Sequence, residues 1–294
     1  DWFESTEIVV LSMVALLGLG AFIYRELSID YPAVNIRLYR NYNLAMGSLM
    51  NFMLGLMLFG TVFIFPLFVQ ISLGWTATQT GVFMIPGAIF TAFSMPAVAA
   101  MMGKGVNPKR IIIVGIFLTF SFLMMLSFSS PDSSEGDFYL PFILRGVGMA
   151  FMMAPILSLA VAGLEGKDMT QAVGLANMIR QLGGSVGIAL INVFLSNKNA
   201  EVRGSMVSYV NQYNQPAQDR LAAFTQNFLA KGYSLEDAET LAYKSMEGAL
   251  FKQQAIVSYD QGFFMVGMLI LICVPIVFLI RYKKSAKTAV VSDH

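Results

Sequence analysis

Two arginines stand inside stretches of the sequence that are otherwise almost entirely apolar. Arg145 is followed by Gly146 and Gly148, and Arg180 is followed by Gln181 and a run of glycines. An arginine at the centre of a membrane-spanning helix costs about 2.5–3.5 kcal/mol, so such residues usually face a cavity or a partner. The chemistry open to these cations is to stabilise a carboxylate or to sense its protonation.

The stretch around Arg145 has two interpretations. In the first, Arg145 is a buried cation coupled to the protonation of a carboxylate, and Gly146 and Gly148 let a neighbouring backbone approach closely. In the second, Arg145 is structural and donates hydrogen bonds to carbonyl groups or extends towards the membrane surface. We assign Arg145, Gly146 and Gly148 to a predicted coupling or gating group.

The sequence from Arg180 reads Arg-Gln-Leu-Gly-Gly-Ser-Val-Gly, and its glycines are spaced for contact between helices. Gly183 and Gly187 are four residues apart, with Gly184 beside them. A glycine inside a helix costs up to about 1 kcal/mol relative to alanine, so packing or motion must compensate. Close packing and flexibility at a moving interface are both open. With Gln181, these residues complete the predicted coupling or gating group.

Methionine and phenylalanine are concentrated in two of the apolar stretches, which also hold a few amides. Such soft, adaptable side chains suit a pocket for many apolar ligands, although in a membrane protein they more often face lipid or the core. Amide side chains could line the same pocket. The predicted substrate-binding residues are Asn51, Phe59, Phe63, Gln70, Met149, Met153 and Asn177.

No aspartate or glutamate lies deep in an apolar stretch. Asp260 comes just before the last stretch, and Glu7 and Glu26 flank the first. We therefore expect the carboxylate that would carry protons to lie outside this chain.

The composition excludes several classes of protein. Of the 294 residues, 56% are hydrophobic and 13% are charged, about half the charged fraction of a soluble domain. The single cysteine, Cys273, and the single histidine, His294, cannot form a disulfide, a cysteine-based metal cluster or a histidine-based catalytic site. A net charge of +1 implies no nucleic-acid partner. The sequence predicts no enzyme, no metal site and no cofactor.

Seven stretches are long enough to cross the hydrocarbon core of a bilayer, which takes about 20 apolar residues in a helix. They lie at about 8–24, 44–71, 80–102, 111–128, 138–163, 170–195 and 261–280. The predicted fold class is all-α, a polytopic membrane protein with about seven transmembrane helices. Because the chain starts at Asp1 without a signal segment, we expect a fragment of a longer protein.

Basic residues in the connections predict the orientation of these helices. The connections on one side, together with the C-terminal tail, hold Arg25, Arg37, Arg40, Lys104, Lys109, Arg110, Lys167, Arg281, Lys283, Lys284 and Lys287. The short connections on the other side, 72–79 and 129–137, hold neither lysine nor arginine. We therefore expect a cytoplasmic C-terminus, an external N-terminus and an odd number of spans before Asp1.

The polar stretch 196–260, between the last two spans, also reads as helical. Pro216 is suited to begin a helix and Gly232 to end it, while Ser234 with Asp237 is typical of the start of another. Two interpretations are open for this stretch: a solvated external loop made of helices, or a docking surface for a partner outside the membrane.

Several segments resemble the major facilitator superfamily, specifically its 14-helix drug:proton antiporters of the EmrB/QacA type. The most specific match begins at Arg180, and Arg145-Gly-Val-Gly resembles the family's arginine-glycine helix. The other matching segments are 1–3, 32–41, Gln70 with Gly74, 78–86 and 102–110. The last segment lacks the Asp-Arg pair that is usual in the family's basic cytoplasmic loop.

The resemblance covers nearly the whole chain and implies helices eight to fourteen of a 14-helix protein. Residues 1–43 would form an extra transmembrane helix and a cytoplasmic linker. Residues 44–282 would form the C-terminal six-helix bundle of a major facilitator fold, built from inverted three-helix repeats. In this arrangement 196–260 is an extracytoplasmic helical loop and 283–294 a cytoplasmic tail.

The same resemblance implies a proton-coupled multidrug efflux transporter of the bacterial cytoplasmic (inner) membrane, which exports amphipathic drugs in exchange for protons by alternating access. The implied partners are lipophilic small molecules, protons and the missing N-terminal half. Resemblance to EmrB-type exporters adds a periplasmic adaptor protein and an outer-membrane channel. Two alternatives stay open: a transporter of the same fold for one siderophore, lipid or metabolite, and a non-transporting membrane module that docks partners through 196–260.

Overall fold

The computed structural model describes residues 6–29, 34–131, 133–211 and 213–281, and the regular structure in these ranges is entirely helical. The α-helices are α1 (Thr6–Ser28), α2 (Tyr42–Ser72), α3 (Ala77–Gly103), α4 (Pro108–Leu126), α5 (Glu135–Ala160), α6 (Gly166–Tyr209), α7 (Gln215–Ala230), α8 (Leu235–Leu271) and α9 (Cys273–Leu279). A short 3-10 helix, Ile36–Arg40, connects α1 to α2.

Polar side chains explain where several helices begin. At the start of α3, the Thr76 hydroxyl accepts a hydrogen bond from the backbone N–H of Gln79, whose side chain accepts one from the backbone of Thr76. At α4, the Asn107 side chain accepts from the backbone N–H of Lys109, and Pro108 occupies a position where a helix needs no donor. The connections are therefore fixed by local hydrogen bonds.

Seven helical segments are long and apolar enough to cross a membrane, which confirms the expected number of spans. They are α1 to α6 and a last span that α8 and α9 form together. Helix α2 continues through Pro66, and α3 continues through Pro86 and Pro96. Prolines are tolerated in such spans because neighbouring helices and side chains satisfy the backbone groups that they release.

Six of the spans pack into one bundle in which α2 is central. Helix α2 packs along α6 and also contacts α5 and α8, while α5 packs between α3 and α4. Large apolar side chains fill the core, and Phe65, Phe68, Phe122, Phe142 and Phe263 are among those fully buried. A six-helix bundle preceded by one extra helix is the fold class that the sequence predicts.

Helix α1 stands apart from this bundle. The apolar residues of its spanning part are not buried, and its main contacts are with the 3-10 helix that follows it. Its one buried residue is Glu26, whose carboxylate accepts a hydrogen bond from the backbone N–H of Val34 at 3.0 Å. Arg37 donates a hydrogen bond to the carbonyl of Leu27 at 2.6 Å, so the linker is folded against the end of α1.

The polar stretch 196–260 is helical, as expected, but it is continuous with the spans on either side. Helix α6 runs without a break to Tyr209, and α8 begins at Leu235 and continues into the last span. The expected start of that span at 261 is therefore not a helix boundary. Together with α7, which packs along α8, these helix extensions form a helical outer extension of the bundle.

The turn residues within this outer extension lie where the sequence predicts them. Pro216 is in the first turn of α7, and Gly232 follows its end with a positive φ of 90°. Such a φ is strained for residues other than glycine. The Ser234 hydroxyl caps α8 by accepting a hydrogen bond from the backbone N–H of Asp237 at 3.2 Å.

Hydrogen bonds at the opposite end of the bundle tie the last span to its neighbours. The Lys109 ammonium donates to the carbonyl of Phe278, and the Tyr42 hydroxyl donates to that of Leu279, both at 3.2 Å. The predicted tail at 283–294, the matching segment 1–3 and part of the linker lie outside the described residues.

Candidate functional site

Arg145 lies in α5 on the side that faces α3. Its Cζ atom is 5.6 Å from the centre of the Phe142 ring, one turn earlier in the helix, a cation–π distance. Its Nη1 atom would be 3.7 Å from a Cβ placed on Gly87 of α3. The side chain is partly buried, and among the described residues it has neither an ion pair nor a hydrogen bond to a carbonyl. The hydrogen bonds of a purely structural arginine are thus not found in that part of the chain.

Phe142 is the centre of an aromatic cluster beside Arg145. Its ring centre is 4.5 Å from that of Phe65, 5.3 Å from that of Phe83 and 5.8 Å from that of Phe122, with the planes steeply inclined. The cluster therefore joins α2, α3, α4 and α5 next to the cation. Sequence reasoning missed Phe142, and its position one turn before Arg145 was the signal that could have found it.

Gly146 and Gly148 bring α5 close to two neighbouring helices. A Cβ on Gly146 would overlap the backbone carbonyl oxygen of Gly87 in α3. A Cβ on Gly148 would lie 2.5 Å from the hydroxyl of the fully buried Thr119 in α4. The two glycines that follow Arg145 thus let α5 pack closely against α3 and α4.

Gly183 and Gly187 seat α6 directly on the backbone of α2. A Cβ on Gly183 would overlap the carbonyl oxygen of Phe52, and one on Gly187 would overlap that of Leu56. Nothing larger than hydrogen fits at either position unless the two helices separate. These glycines have the close-packing role that the sequence left as one of two possibilities.

Arg180 contributes its backbone to the same interface. Its carbonyl oxygen lies where a Cβ on Gly55 of α2 would be, so the contact uses glycines from both helices. Gly184, one turn further along α6, lies against the ring of Phe59. The interface between α2 and α6 is therefore closed by backbone contacts rather than by interlocking side chains.

The two arginines lie in different interfaces of the bundle. Arg145 lies beside α3, whereas the backbone of Arg180 lies against α2 and its side chain is partly exposed. The neighbouring Gln181 is exposed on the surface of α6. The structure places each arginine beside glycine-mediated helix contacts but does not bring the two cations together.

The predicted substrate-binding residues have different environments. Asn51 is buried and its amide nitrogen donates to the carbonyl of Gly47 at 3.0 Å, within α2. Met149 is buried in the core, and Gln70 is exposed at the end of α2. The remaining members are partly buried: Phe59, Phe63, Met153 and Asn177.

Four cavities among the described residues are lined by residues other than the predicted substrate-binding residues. The largest, about 420 Å³, lies in the outer extension and is lined by Met206, Tyr209, Met246 and Leu250 among others. A second, about 290 Å³, lies between the ends of α3 and α5, and the other two have volumes of about 260 and 340 Å³. None is lined by a predicted substrate-binding residue. Grouped His, Cys, Asp or Glu side chains that could hold a metal ion are also absent from the described residues.

Comparison with known proteins gives a family match over most of the bundle. The sequence profile of the Major Facilitator Superfamily matches residues 8–188, which is more than half of the chain. The match includes α1 to α5 and the glycine contacts of α6.

Curated relatives extend the similarity along nearly the whole chain. The fatty acid resistance protein FarB of Neisseria gonorrhoeae is 26% identical over 283 residues, covering 96% of this chain and 54% of the relative. The multidrug export protein EmrB of Haemophilus influenzae is 27% identical over 270 residues, covering 91% and 51%. EmrB of Escherichia coli K12 is 25% identical over 289 residues, covering 96% and 53%. The chain spans about half the length of these curated relatives.

These matches agree with the fold. The seven apolar helices, the six-helix bundle and the profile match identify an integral membrane protein of a transporter family, not an enzyme. The chain belongs to the Major Facilitator Superfamily.

Proposed function

We propose that this chain is the C-terminal half of a proton-coupled multidrug exporter, which releases amphipathic drugs in exchange for protons by alternating access. The observation that carries the proposal is Arg145, a cation in a membrane span without a carboxylate partner among the described residues. A charge in that position calls for a partner. A carboxylate from outside these residues, ionised in one state and protonated in another, would pair with Arg145 in only one of them.

The names of the relatives support drugs as the substrates. Multidrug export proteins of two bacteria are similar to this chain over more than nine tenths of its length. The many methionines and phenylalanines of the spans suit ligands of varied shape. In this proposal Phe59, Phe63 and Met153 contribute to a binding surface that a second set of helices completes.

The glycine contacts between α2 and α6 are proposed to be the gating interface. Backbone contacts at Gly55, Gly183 and Gly187 leave few side chains to disengage when the helices slide. Small shear motions of packed helices are a common form of conformational change. Arg180, whose carbonyl lies in this interface, would move with it.

The domain organisation of the proposal follows the packing. The proposed division is 1–43 as an extra helix with its linker and 44–282 as the transport bundle. The separation of α1 from the helices that share a core supports it, and helix α2 begins at Tyr42, two residues before the proposed bound. Residues 283–294 form a tail in the cytoplasm. The N-terminal half of the transporter supplies the helices that face the bundle.

The proposed location is the bacterial inner membrane, with the C-terminus in the cytoplasm. The turn between α3 and α4 and the start of α4 hold Lys104, Lys109 and Arg110, which favour the cytoplasmic side. The outer extension then lies outside the membrane. A periplasmic adaptor and an outer-membrane channel are the proposed partners there.

A second candidate substrate class is favoured by one relative. FarB is named for resistance to fatty acids, and it matches 96% of this chain. An amphipathic lipid-like acid is therefore the leading alternative to a broad range of drugs. A non-transporting docking module is disfavoured by the similarity to export proteins.

The test is transport of a fluorescent drug into inverted membrane vesicles that contain the full-length protein. We expect an imposed proton gradient to drive accumulation in the wild type, and Arg145→Ala to lower the initial rate at least about tenfold, equal to about 1.4 kcal/mol in a barrier. Arg220→Ala, an exposed arginine on α7, is the matched control and should leave the rate unchanged.

The outcomes separate the parts of the proposal. Gradient-driven transport that survives in Arg145→Ala would remove Arg145 from coupling but keep the exporter. Absence of drug transport by a folded wild type, with accumulation of a fluorescent fatty acid instead, would select the lipid-like substrate. Absence of both would overturn the proposed function.

A further inference from the structure

Asp260 lies within a continuous helix, where sequence reasoning placed it only at a boundary. Helix α8 runs from Leu235 to Leu271, so Asp260 is followed by more than two turns of the same helix. The preceding Ser258 and Tyr259 are buried, and so are Gly262 and Phe263 beyond it.

The carboxylate of Asp260 has little to balance its charge. Asp260 is partly buried, and its Oδ1 atom, which is buried, has no hydrogen-bond partner among the described residues. The hydrogen-bonding group next to the carboxylate is the backbone of Ser129, just after the end of α4. The ion pairs of the described residues are Lys198 with Glu201 and Arg203 with Glu247, so none involves Asp260.

At this end of the bundle, the charged groups of the elements around α8 lie in the outer extension and at the turn into α5, not on α2 or α9. Helix α8 packs against α2, α4, α6, α7 and α9. The second half of α2 and all of α9 carry no charged residue, and the charges of α4 are at its other end. The titratable or charged groups on the outer part of α6, on α7, on α8 itself, in their connections and at the turn into α5 are Asp132, Glu135, Asp137, Tyr139, Lys198, Glu201, Arg203, Tyr209, Tyr213, Asp219, Arg220, Lys231, Tyr233, Glu236, Asp237, Glu239, Tyr243, Lys244, Glu247, Lys252 and Tyr259. Of these, Asp132 lies outside the described residues.

The end of α4 presents groups of both signs to the carboxyl group. The last carbonyl groups of the helix repel a carboxylate, whereas the backbone N–H of Ser129 can donate a hydrogen bond to it. Helix α4 ends at Leu126, and the backbone N–H of Ser129 also donates to the Leu126 carbonyl at 3.3 Å. A buried, unpaired carboxylate oxygen in that place is costly, and binding one proton removes the charge.

The packing of α8 links this charge to the rest of the bundle. A Cβ on Gly262, two residues after Asp260, would lie 2.8 Å from Cδ1 of Ile64 in α2 and 3.3 Å from Cδ2 of Leu195 in α6. Helix α8 is therefore packed closely against both helices of the proposed gating interface. A small shift of α8 would also displace the side chains of α2 and α6 that it contacts.

We infer that Asp260 is a proton-binding site at the outer end of the bundle, and that its protonation sets how closely α8 packs against the end of α4. One proton from the external water converts the carboxylate to the neutral acid, which is compatible with the closed contact seen here. Loss of that proton to the same water restores the charge, which draws Asp260 towards solvent and loosens the contact. This inference rests on the proposed function and adds to it a carboxyl group within the chain itself that responds to external pH.

The first test observes the proton directly and does not depend on transport. Infrared difference spectra of the full-length protein in liposomes are recorded between alkaline and acidic buffer. We expect a carboxylic-acid C=O band that is present in the wild type and in Glu239→Gln, an exposed carboxylate on α8, but is missing in Asp260→Asn. A spectrum of Asp260→Asn that equals the wild type overturns the inference, whether or not the protein transports drugs.

The second test asks whether the proton matters for transport. Asparagine imitates the neutral acid, so Asp260→Asn should still bind drug but, with the pH difference across the membrane held constant, should lose the dependence of transport on external pH. We expect a wild-type rate that changes by up to about tenfold per pH unit, and an Asp260→Asn rate that changes less than about twofold over the same range. A variant with the wild-type pH profile overturns a role of Asp260 in the response to external pH. If the wild type transports no drug, the proposed function fails and the infrared result alone decides about Asp260.

Discussion

Arg145 stands out as a candidate functional residue because it has no ion-pair partner among the described residues. Its neighbours are the Phe142 ring and the glycine backbone of α3, which accommodate a guanidinium without neutralising it. In a soluble protein such a side chain would be hydrated, whereas in a membrane span its lack of an ion-pair partner among the described residues supports the proposal that a partner pairs with it in one state of the transporter. The proposed role of Arg145 therefore depends on a carboxylate that lies outside the described residues.

The glycines of α6 allow a prediction about single residues. Gly183→Ala should lower the free energy of unfolding by about 1–3 kcal/mol, because its methyl group would overlap the carbonyl of Phe52 and overpack the interface. Thermal unfolding of the purified protein in detergent measures the change.

Gly174 provides the matched control on the same helix. A Cβ there meets nothing within 4 Å, so Gly174→Ala should raise the stability by up to about 1 kcal/mol through helix propensity. Equal shifts in the two variants would contradict the packing role of Gly183.

The candidate site could be predicted from the sequence only where a residue was anomalous for its surroundings. Arg145 and the glycines after Arg180 are costly in a membrane helix, so the sequence itself marks them. Phe142 is one of many phenylalanines, and only tertiary packing distinguishes it. Asp260 was not predicted as a site residue, because the polar residues before it suggest the boundary of a span. In the structure, helix α8 continues through this position.

At the scale of elements, the main surprise is the length of α6 and α8. Hydropathy ends a span where polar residues begin, but the hydrogen bonds of a helix continue until something interrupts them. Between 196 and 209 there is no proline, and the one glycine, Gly204, is not enough to end α6. The number of spans and the turn residues were predictable from local patterns, whereas these continuations were not.

An ion pair between the two extended helices gives a prediction at this scale. The Arg203 guanidinium and the Glu247 carboxylate are 2.6 Å apart and join α6 to α8, with about half of each side chain exposed. A double-mutant cycle with alanine at both positions should give a coupling energy of about 0.2–1 kcal/mol that decreases with added salt.

Lys198 and Glu201, which pair within α6 alone, serve as the comparison. Amide hydrogen exchange should rise in the outer parts of both α6 and α8 when the Arg203–Glu247 pair is removed, but only in α6 when the Lys198–Glu201 pair is removed. Identical exchange patterns would show that the first pair does not hold the helices together.

At the scale of the whole molecule, the bundle has more apolar surface than its own core uses. Most of α3 and nearly all of α1 are exposed in this chain, including large side chains such as Phe93 and Leu17. Lipid covers part of such a surface, and the proposed N-terminal half would cover another part. The four cavities described above have no predicted binding residue in their linings, which agrees with the proposal that both halves complete the site.

The proposed orientation can be tested by the reactivity of single cysteines. Lys104→Cys, in the turn after α3, should react with a membrane-impermeant maleimide only after the cells are permeabilised. Ser130→Cys, after α4, should react in intact cells, because both positions are exposed on opposite sides of the bundle.

The native chain supplies a low background for this experiment. Cys273 is 2% exposed and lies in the last span, so wild-type protein should remain almost unlabelled. Labelling of the two variants in the reverse pattern would require the C-terminus to lie outside.

The continuity of α6 has a mechanical consequence. A helix of 44 residues is about 66 Å long, roughly twice the thickness of a hydrocarbon core of about 30 Å. Such a rod acts as a lever whose fulcrum lies in the membrane, among the glycines that seat it on α2. A tilt too small to detect at those glycines is amplified towards Tyr209, so the tip of the outer extension is where a movement of the bundle becomes largest.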